Sequence, residues 1–298
     1  MTPRSAAPDP GAWSVSTVDE ADRLCLSCNG CRADCVVGAA TGRLQPLRIV
    51  RMASLGLGDE LMRLPELWYC LQCNHCSLLC PMTVKPSEVV RRARQQALLR
   101  GVVTSELVHA HEGLVAGFAR ARWHAIARCM AAQDACDIAR DWRQWSSSPV
   151  ASMTSGPIAD GATAAAGALR RAAVSFVPRA AELCACMTCR QCTLGCPVAR
   201  EQSGYDPLAM FRMVHLGLTH ELLRSPSIWL CLGCESCSSG CAQKVSGHLV
   251  IRALQDEASR QGIVPADMRD RLWAADRALY GELVREVDEL MKGIFAGR

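Results

Sequence analysis

Residues 25–35 read CLSCNGCRADC, and the interval Cys-x2-Cys-x2-Cys-x3-Cys returns as CLQCNHCSLLC at 70–80, CMTCRQCTLGC at 186–196 and CLGCESCSSGC at 231–241. The four runs are Cys25, Cys28, Cys31, Cys35; Cys70, Cys73, Cys76, Cys80; Cys186, Cys189, Cys192, Cys196; and Cys231, Cys234, Cys237, Cys241. They take sixteen of the chain's nineteen cysteines. Three thiolates at this spacing fold around three corners of an iron-sulfur cube, and the fourth, one residue further on, reaches a different cube. Zinc does not account for it: tetrahedral sites use separated Cys-x2-Cys pairs, in which a third cysteine two residues on has no place. A disulfide framework suits a short secreted chain, whereas this one has 298 residues and a beginning, MTPRSAAPDP, without the apolar core of a signal peptide. Sixteen free thiolates point to a reducing compartment, the cytoplasm.

Adding 161 to each cysteine of the first two runs gives each cysteine of the last two. The register extends past the ligands. Pro46 faces Pro207, Arg51-Met52 faces Arg212-Met213, Leu55-Gly56-Leu57 faces Leu216-Gly217-Leu218, Trp68 faces Trp229, and Gly101 faces Gly262. A two-run module copied in tandem explains this.

Between the runs of the second copy, Asp206-Pro207 supplies an N-cap and a first helical residue, Leu208, Phe211 and Val214 an apolar face, and Gly217 a stop. Pro46 to Gly56 is the same helix in the first copy. After the second runs, 86–100 and 248–261 are amphipathic helices ending at Gly101 and Gly262. No stretch alternates as a strand, so the expected fold is all-α. Residues 1–12 are expected to be a disordered tail, 13–145 a first module with a helical extension from Trp123 to Trp145, 146–171 a flexible linker rich in Ser, Ala, Gly and Thr, and 172–298 a second module closed by a charged amphipathic helix or helix pair over 266–295. Cys129 and Cys136 are expected on one face of the extension.

A net charge of +4 is mild, and Arg91, Arg92 and Arg94 form the densest basic patch, read as a solvated helix face, with a docking patch for an acidic partner as the alternative. No aromatic-interleaved basic motif invites nucleic acid, and no run of eighteen apolar residues offers a membrane span; association with a membrane would be peripheral, through a partner. Adjacent cysteines are absent, as is a Gly-x-Gly-x-x-Gly loop for flavin or nicotinamide, so no residue is assigned as catalytic. Arg51 and Arg212 sit at matched places where a guanidinium would offset cluster charge, though a surface arginine explains each. Trp68 and Trp229 read as packing aromatics, His75 as a hydrogen-bond donor or an exposed side chain, and Cys129, Cys136 and Cys184 as spare buried thiols, Cys184 being close enough to Cys186 to substitute as a ligand.

Two such runs 45 residues apart, with Trp two residues before the second, resemble the α-helical ferredoxin module and most of all the C subunit of heterodisulfide reductase. The resemblance spans about 20–105 and 180–265. It implies four 4Fe-4S clusters with crossed ligation: Cys25, Cys28, Cys31 with Cys80; Cys70, Cys73, Cys76 with Cys35; Cys186, Cys189, Cys192 with Cys241; and Cys231, Cys234, Cys237 with Cys196. Proline follows Cys80 and Cys196, as in the family, but Val36 follows Cys35 and Ala242 follows Cys241. The implied role is an electron-transfer subunit, not an enzyme by itself, working with redox subunits such as a heterodisulfide reductase B-like protein or a flavoprotein. The competing reading is a redox or iron sensor acting through a partner protein.

Overall fold

The computed structural model describes residues 25–150, 175–201 and 204–295, and among them there are helices and turns but no strand. The expected tail and most of the expected linker lie outside the described residues. The main helices are α1 (Pro46–Ser54), α2 (Pro86–Leu99), α3 (Ser105–Met130), α4 (Cys136–Arg140), α5 (Trp142–Ser147), α6 (Pro207–Leu216), α7 (Gly247–Arg260) and α8 (Met268–Phe295).

Their ends follow the local chemistry. Asp206 accepts hydrogen bonds from the Leu208 and Ala209 amides at the start of α6, and Gly217 takes the left-handed conformation, φ 78°, at its close. Thr104 caps α3 through the Leu107 amide. The expected continuous helix from Trp123 to Trp145 is interrupted. Residues 131–135 break it, with Ala132 at φ 58°, so Cys129 lies in the last turn of α3 while Cys136 begins α4. Cys129 is buried and Cys136 exposed; they do not share a face, and only the first is a buried thiol. Over 266–295 the single-helix alternative holds.

Within each module, the helix between the runs packs near the helix that follows the second run, α1 on α2 and α6 on α7. The helical extensions then cross over. α8 lies along α3 and α4 and also covers Val36–Thr41 and the 3-10 turn Pro65–Tyr69 of the first module; α3 packs on the matching turn, Pro226–Leu230, of the second. The core-facing stripe of α8 repeats every fourth residue, Ala275, Leu279, Leu283, Val287 and Met291, widened by Tyr280 and Val284. Each large apolar side chain so buried contributes about 1.5–3 kcal/mol. At the far end of α8, Asp288 accepts hydrogen bonds from the Tyr69 hydroxyl and from Arg43, the latter at 3.1 Å. The division at 171/172 drawn from sequence is therefore crossed by packing in both directions.

At the same junction His111 of α3, 5% exposed, donates from Nε2 to the Trp68 carbonyl at 2.7 Å and meets the Trp68 ring edge-on. Burial, with Arg94 nearby, pushes its pKa down from 6.5 to about 4. Between those values the unfolded chain takes up a proton that folded His111 refuses. Stability is then complete above about pH 6.5 and falls as pH drops towards 4, by up to about 3 kcal/mol from this group. Thermal midpoints from pH 7 to 5 should show that decline, and His111→Gln, which keeps a donor, should flatten it. An equally steep decline in the variant would assign the effect elsewhere.

Candidate cluster sites

Each cysteine run is a short loop closed by a one-turn helix: Gly30–Ala33, His75–Leu78, Gln191–Leu194 and Ser236–Ser239. All four share one backbone signature. The second and fourth residues after the first cysteine lie at positive φ: Ser27 and Asn29, Gln72 and Asn74, Thr188 and Arg190, Gly233 and Glu235, all between 54° and 66°. Seven of these eight are not glycine. A non-glycine residue held there costs about 1–2 kcal/mol, so the loops keep this form only where something they enclose over-determines it. Left-handed residues two apart also help to turn backbone amides into the loop, a concavity of the kind that receives an anion or an iron-sulfur core. The Gln72 and Gly233 amides accordingly point to Cys70 Sγ and Cys231 Sγ, and Gly38 to Cys35 Sγ, each at 3.4 Å.

The electrostatics show which thiols are neighbours. Burial and then the Cys25, Cys28 and Cys80 thiolates raise Cys31. Burial and then Cys70 and Cys35 push Cys76 up to about 12, and burial lifts Cys35 to about 11 with Cys70 among the contributors. In the second module, burial and then Cys231 push Cys237 to about 12, Cys234 and Cys196 adding to it; burial brings Cys196 to about 11, with Cys234 and Cys231 nearby. Cys192 is raised by burial and by Cys186. The fourth cysteine of a run thus sits beside the opposite run in three of the loops: Cys80, Cys35 and Cys196.

The donor chemistry fits a polynuclear iron-sulfur core. Its iron supplies the positive charge that makes crowded, buried thiolates tolerable, and its bulk matches their spread. Among the described residues no three His, Cys, Asp or Glu side chains close to the geometry of a single metal ion. Gly247 leaves the needed room at Cys237, because a Cβ there would lie 3.1 Å from that sulfur and 2.5 Å from the Phe211 ring.

Four side chains around the sites escaped the sequence reading. Arg94 is not part of a solvated face: Arg91 is exposed and pairs with Glu88, but Arg94 turns inward, donating to the Leu67 carbonyl at 2.9 Å and the Cys70 carbonyl at 2.7 Å, and lies over the Trp68 ring. Gln255, its counterpart at +161, donates to the Ile228 carbonyl at 2.8 Å. The guanidinium of the second module comes instead from Arg122 on α3, which reaches the Leu230 carbonyl at 2.6 Å. Tyr205 is buried and its hydroxyl hydrogen-bonds to Cys231, helping to restrain a thiol that burial raises. Duplicate register was the available signal for Arg94, since both matched positions hold long donors.

Arg51 and Arg212 are exposed, Trp68 and Trp229 buried, and the indole nitrogens of both tryptophans have no hydrogen-bond partner. His75 is half-buried, its Nδ1 without a partner. Cys184 is exposed, so it is not a buried spare thiol.

The model of the 4Fe-4S dicluster domain matches twice, at residues 24–85 and 185–246, one match for each pair of runs. Similar proteins include the C subunit of the H(2):CoB-CoM heterodisulfide,ferredoxin reductase of Methanothermobacter thermautotrophicus, 39% identical over 80 residues, which are 26% of this chain and 41% of that protein. The iron-sulfur C subunit of the CoB--CoM heterodisulfide reductase of Methanopyrus kandleri is 35% identical over 104 residues, 35% of this chain and 51% of its own length. A protein of Archaeoglobus profundus described as like the C subunit of heterodisulfide reductase is 34% identical over 77 residues, 25% of this chain and 41% of that protein. The chain thus spans about half or less of the relatives it matches. No solved structure matches. Among the described residues no helix is long and apolar enough to cross a membrane.

Proposed function

We propose that this chain, which carries the 4Fe-4S dicluster domain twice, holds four 4Fe-4S clusters and relays single electrons as a subunit of a heterodisulfide-reductase-like oxidoreductase complex. The observation that carries the reading is the common loop: four cysteine runs with the same pair of left-handed residues, two of them with an amide turned to the sulfur of the first cysteine. The ligand sets are Cys25, Cys28, Cys31 and Cys80; Cys70, Cys73, Cys76 and Cys35; Cys186, Cys189, Cys192 and Cys241; and Cys231, Cys234, Cys237 and Cys196. Grouping of the raised thiols supports this crossing.

When bound, such clusters take up and give back one electron each at a potential set by hydrogen bonds to sulfur, net charge and exposure. The chain supplies those controls. Amides of residues 72 and 233 donate to the cysteine sulfurs, and Trp68 and Trp229, 3% and 1% exposed, help to exclude water. Arg94 and Arg122 bring positive charge to the carbonyls around Cys70 and Cys231, which favours the reduced, more negative state. Complete sets of four cysteines leave no open iron for a substrate, so the chain moves electrons between cytoplasmic redox subunits and transforms nothing by itself.

Anaerobically purified chain should contain about sixteen iron atoms, four clusters of four, with broad visible absorption bleached by dithionite. About eight would mean one module lacks its clusters, and stoichiometric zinc would overturn the assignment. Reduced chain should pass electrons to a viologen dye yet give no steady turnover with disulfide, hydroxy-acid or quinone substrates until a partner subunit is added.

A further inference from the structure

The two modules touch through their second cysteine loops. Ser236 Oγ, between Cys234 and Cys237, donates to the Cys73 carbonyl at 3.0 Å, and Arg200, four residues past Cys196, donates to the Gln72 carbonyl at 3.4 Å. Leu71 and Leu232, each directly after the first cysteine of its loop and matched at +161, line one cavity of about 30 Å³ together with Phe118 and Val198. A space of that size holds one or two waters at most, and its walls are apolar apart from Arg122. The first-run loops are placed otherwise. Cys28 and Cys189 are exposed, and beside them Leu26 and Met187, again a pair at +161, hold large apolar side chains in solvent at 67% and 65% exposure.

Building on the four-cluster reading, we propose that the contact between loops 70–76 and 231–237 is the electron crossing between modules, so that the chain is one relay with its two inner sites face to face and its two outer sites as ports. The order is the Cys25 set, the Cys70 set, the Cys231 set and the Cys186 set. Crossed cysteines link outer to inner within a module, and the Ser236–Cys73 contact links inner to inner. Transfer rates fall exponentially with the gap between centres, so a tightly packed contact with little water outcompetes any path through the exposed loops. Each passage moves one electron: the giving site is oxidised by one, the receiving site reduced by one, and no bond forms or breaks. A reduced one-electron protein supplies it at one port, and an oxidised one-electron protein takes it at the other, each docking on an exposed cysteine loop with its apolar side chain.

Two measurements on the full chain test this. A benzophenone side chain in place of Ser236 should, on illumination, join that position to peptide 72–74. A product confined to the second module would overturn the contact. In Cys25→Ala/Cys28→Ala combined with Cys186→Ala/Cys189→Ala, which leaves each outer site with two thiolates and both inner sets whole, the dithionite-reduced protein should show a spin-coupled EPR spectrum, because the two remaining centres are neighbours. Two independent, uncoupled signals would overturn the crossing even with the cross-link present. Should that variant not load its inner sites, the cross-link decides the matter: its absence from peptide 72–74 overturns the crossing. Iron far below sixteen per unaltered chain with the cross-link intact would instead sink the four-cluster reading and leave the contact standing.

Discussion

Asp276→Ala is expected to destabilise the folded chain by about 3–5 kcal/mol, the cost of leaving a buried charge without its partner. Asp276 lies on α8 and pairs bidentately with Arg122 on α3, at 2.7 and 3.0 Å, with side chains only 12% and 5% exposed. The rest of the guanidinium serves the Leu230 carbonyl. Removing the carboxylate therefore leaves a buried cation with only the Leu230 and Trp229 carbonyls as partners. At this chain length that loss lowers a thermal midpoint by about 10 °C. The exposed pair Arg269–Asp256, at 52% and 61% exposure, is the control: Asp256→Ala should cost less than about 1 kcal/mol. Arg122→Met with Asp276→Leu should recover most of the loss, since an apolar pair can replace a buried ion pair. Equal, small losses in Asp276→Ala and Asp256→Ala would show that the seam is wet and the pair incidental.

Cys80→Ser should remove or convert the cluster assigned to Cys25, Cys28 and Cys31 and lower iron by up to about four atoms of sixteen, although residue 80 belongs to the second run. Cys80 stands among the thiolates that raise Cys31. Iron analysis with EPR of the reduced protein gives the readout: one of four signals lost or altered, with signals from the second module unchanged. Loss confined to the cluster of Cys70, Cys73 and Cys76 would mean that each run serves its own site, and the crossed assignment would fail.

The cysteine intervals and the +161 register carried the all-α modules into view, because ligand spacing and capping residues are local properties of sequence. Asp206-Pro207 and Gly217 bracket α6 for the same reason. What sequence could not carry was the exchange of α3 and α8. Arg122 and Asp276 are 154 residues apart, and no periodicity reports which module a helix will cover. A trace existed all the same: each is a charge set within an otherwise apolar stripe, Arg122 among Phe118, Ala121 and Ile126, and Asp276 between Ala275 and Leu279. Arg94 reads like Arg91 and Arg92 in sequence because composition counts charges without regard to the 100° step that separates helical faces. The break after Met130 is silent in sequence because nothing in 131–135 is a strong helix breaker.

The crossing of α8 also has a bearing on biogenesis. α8 is made after every element it covers, so while the ribosome is still extending the chain, the Val36–Thr41 segment and the 65–69 turn stay uncapped. The arrival of α8 then closes that face of the first module, so the order of translation sets when the packing of the first module is completed.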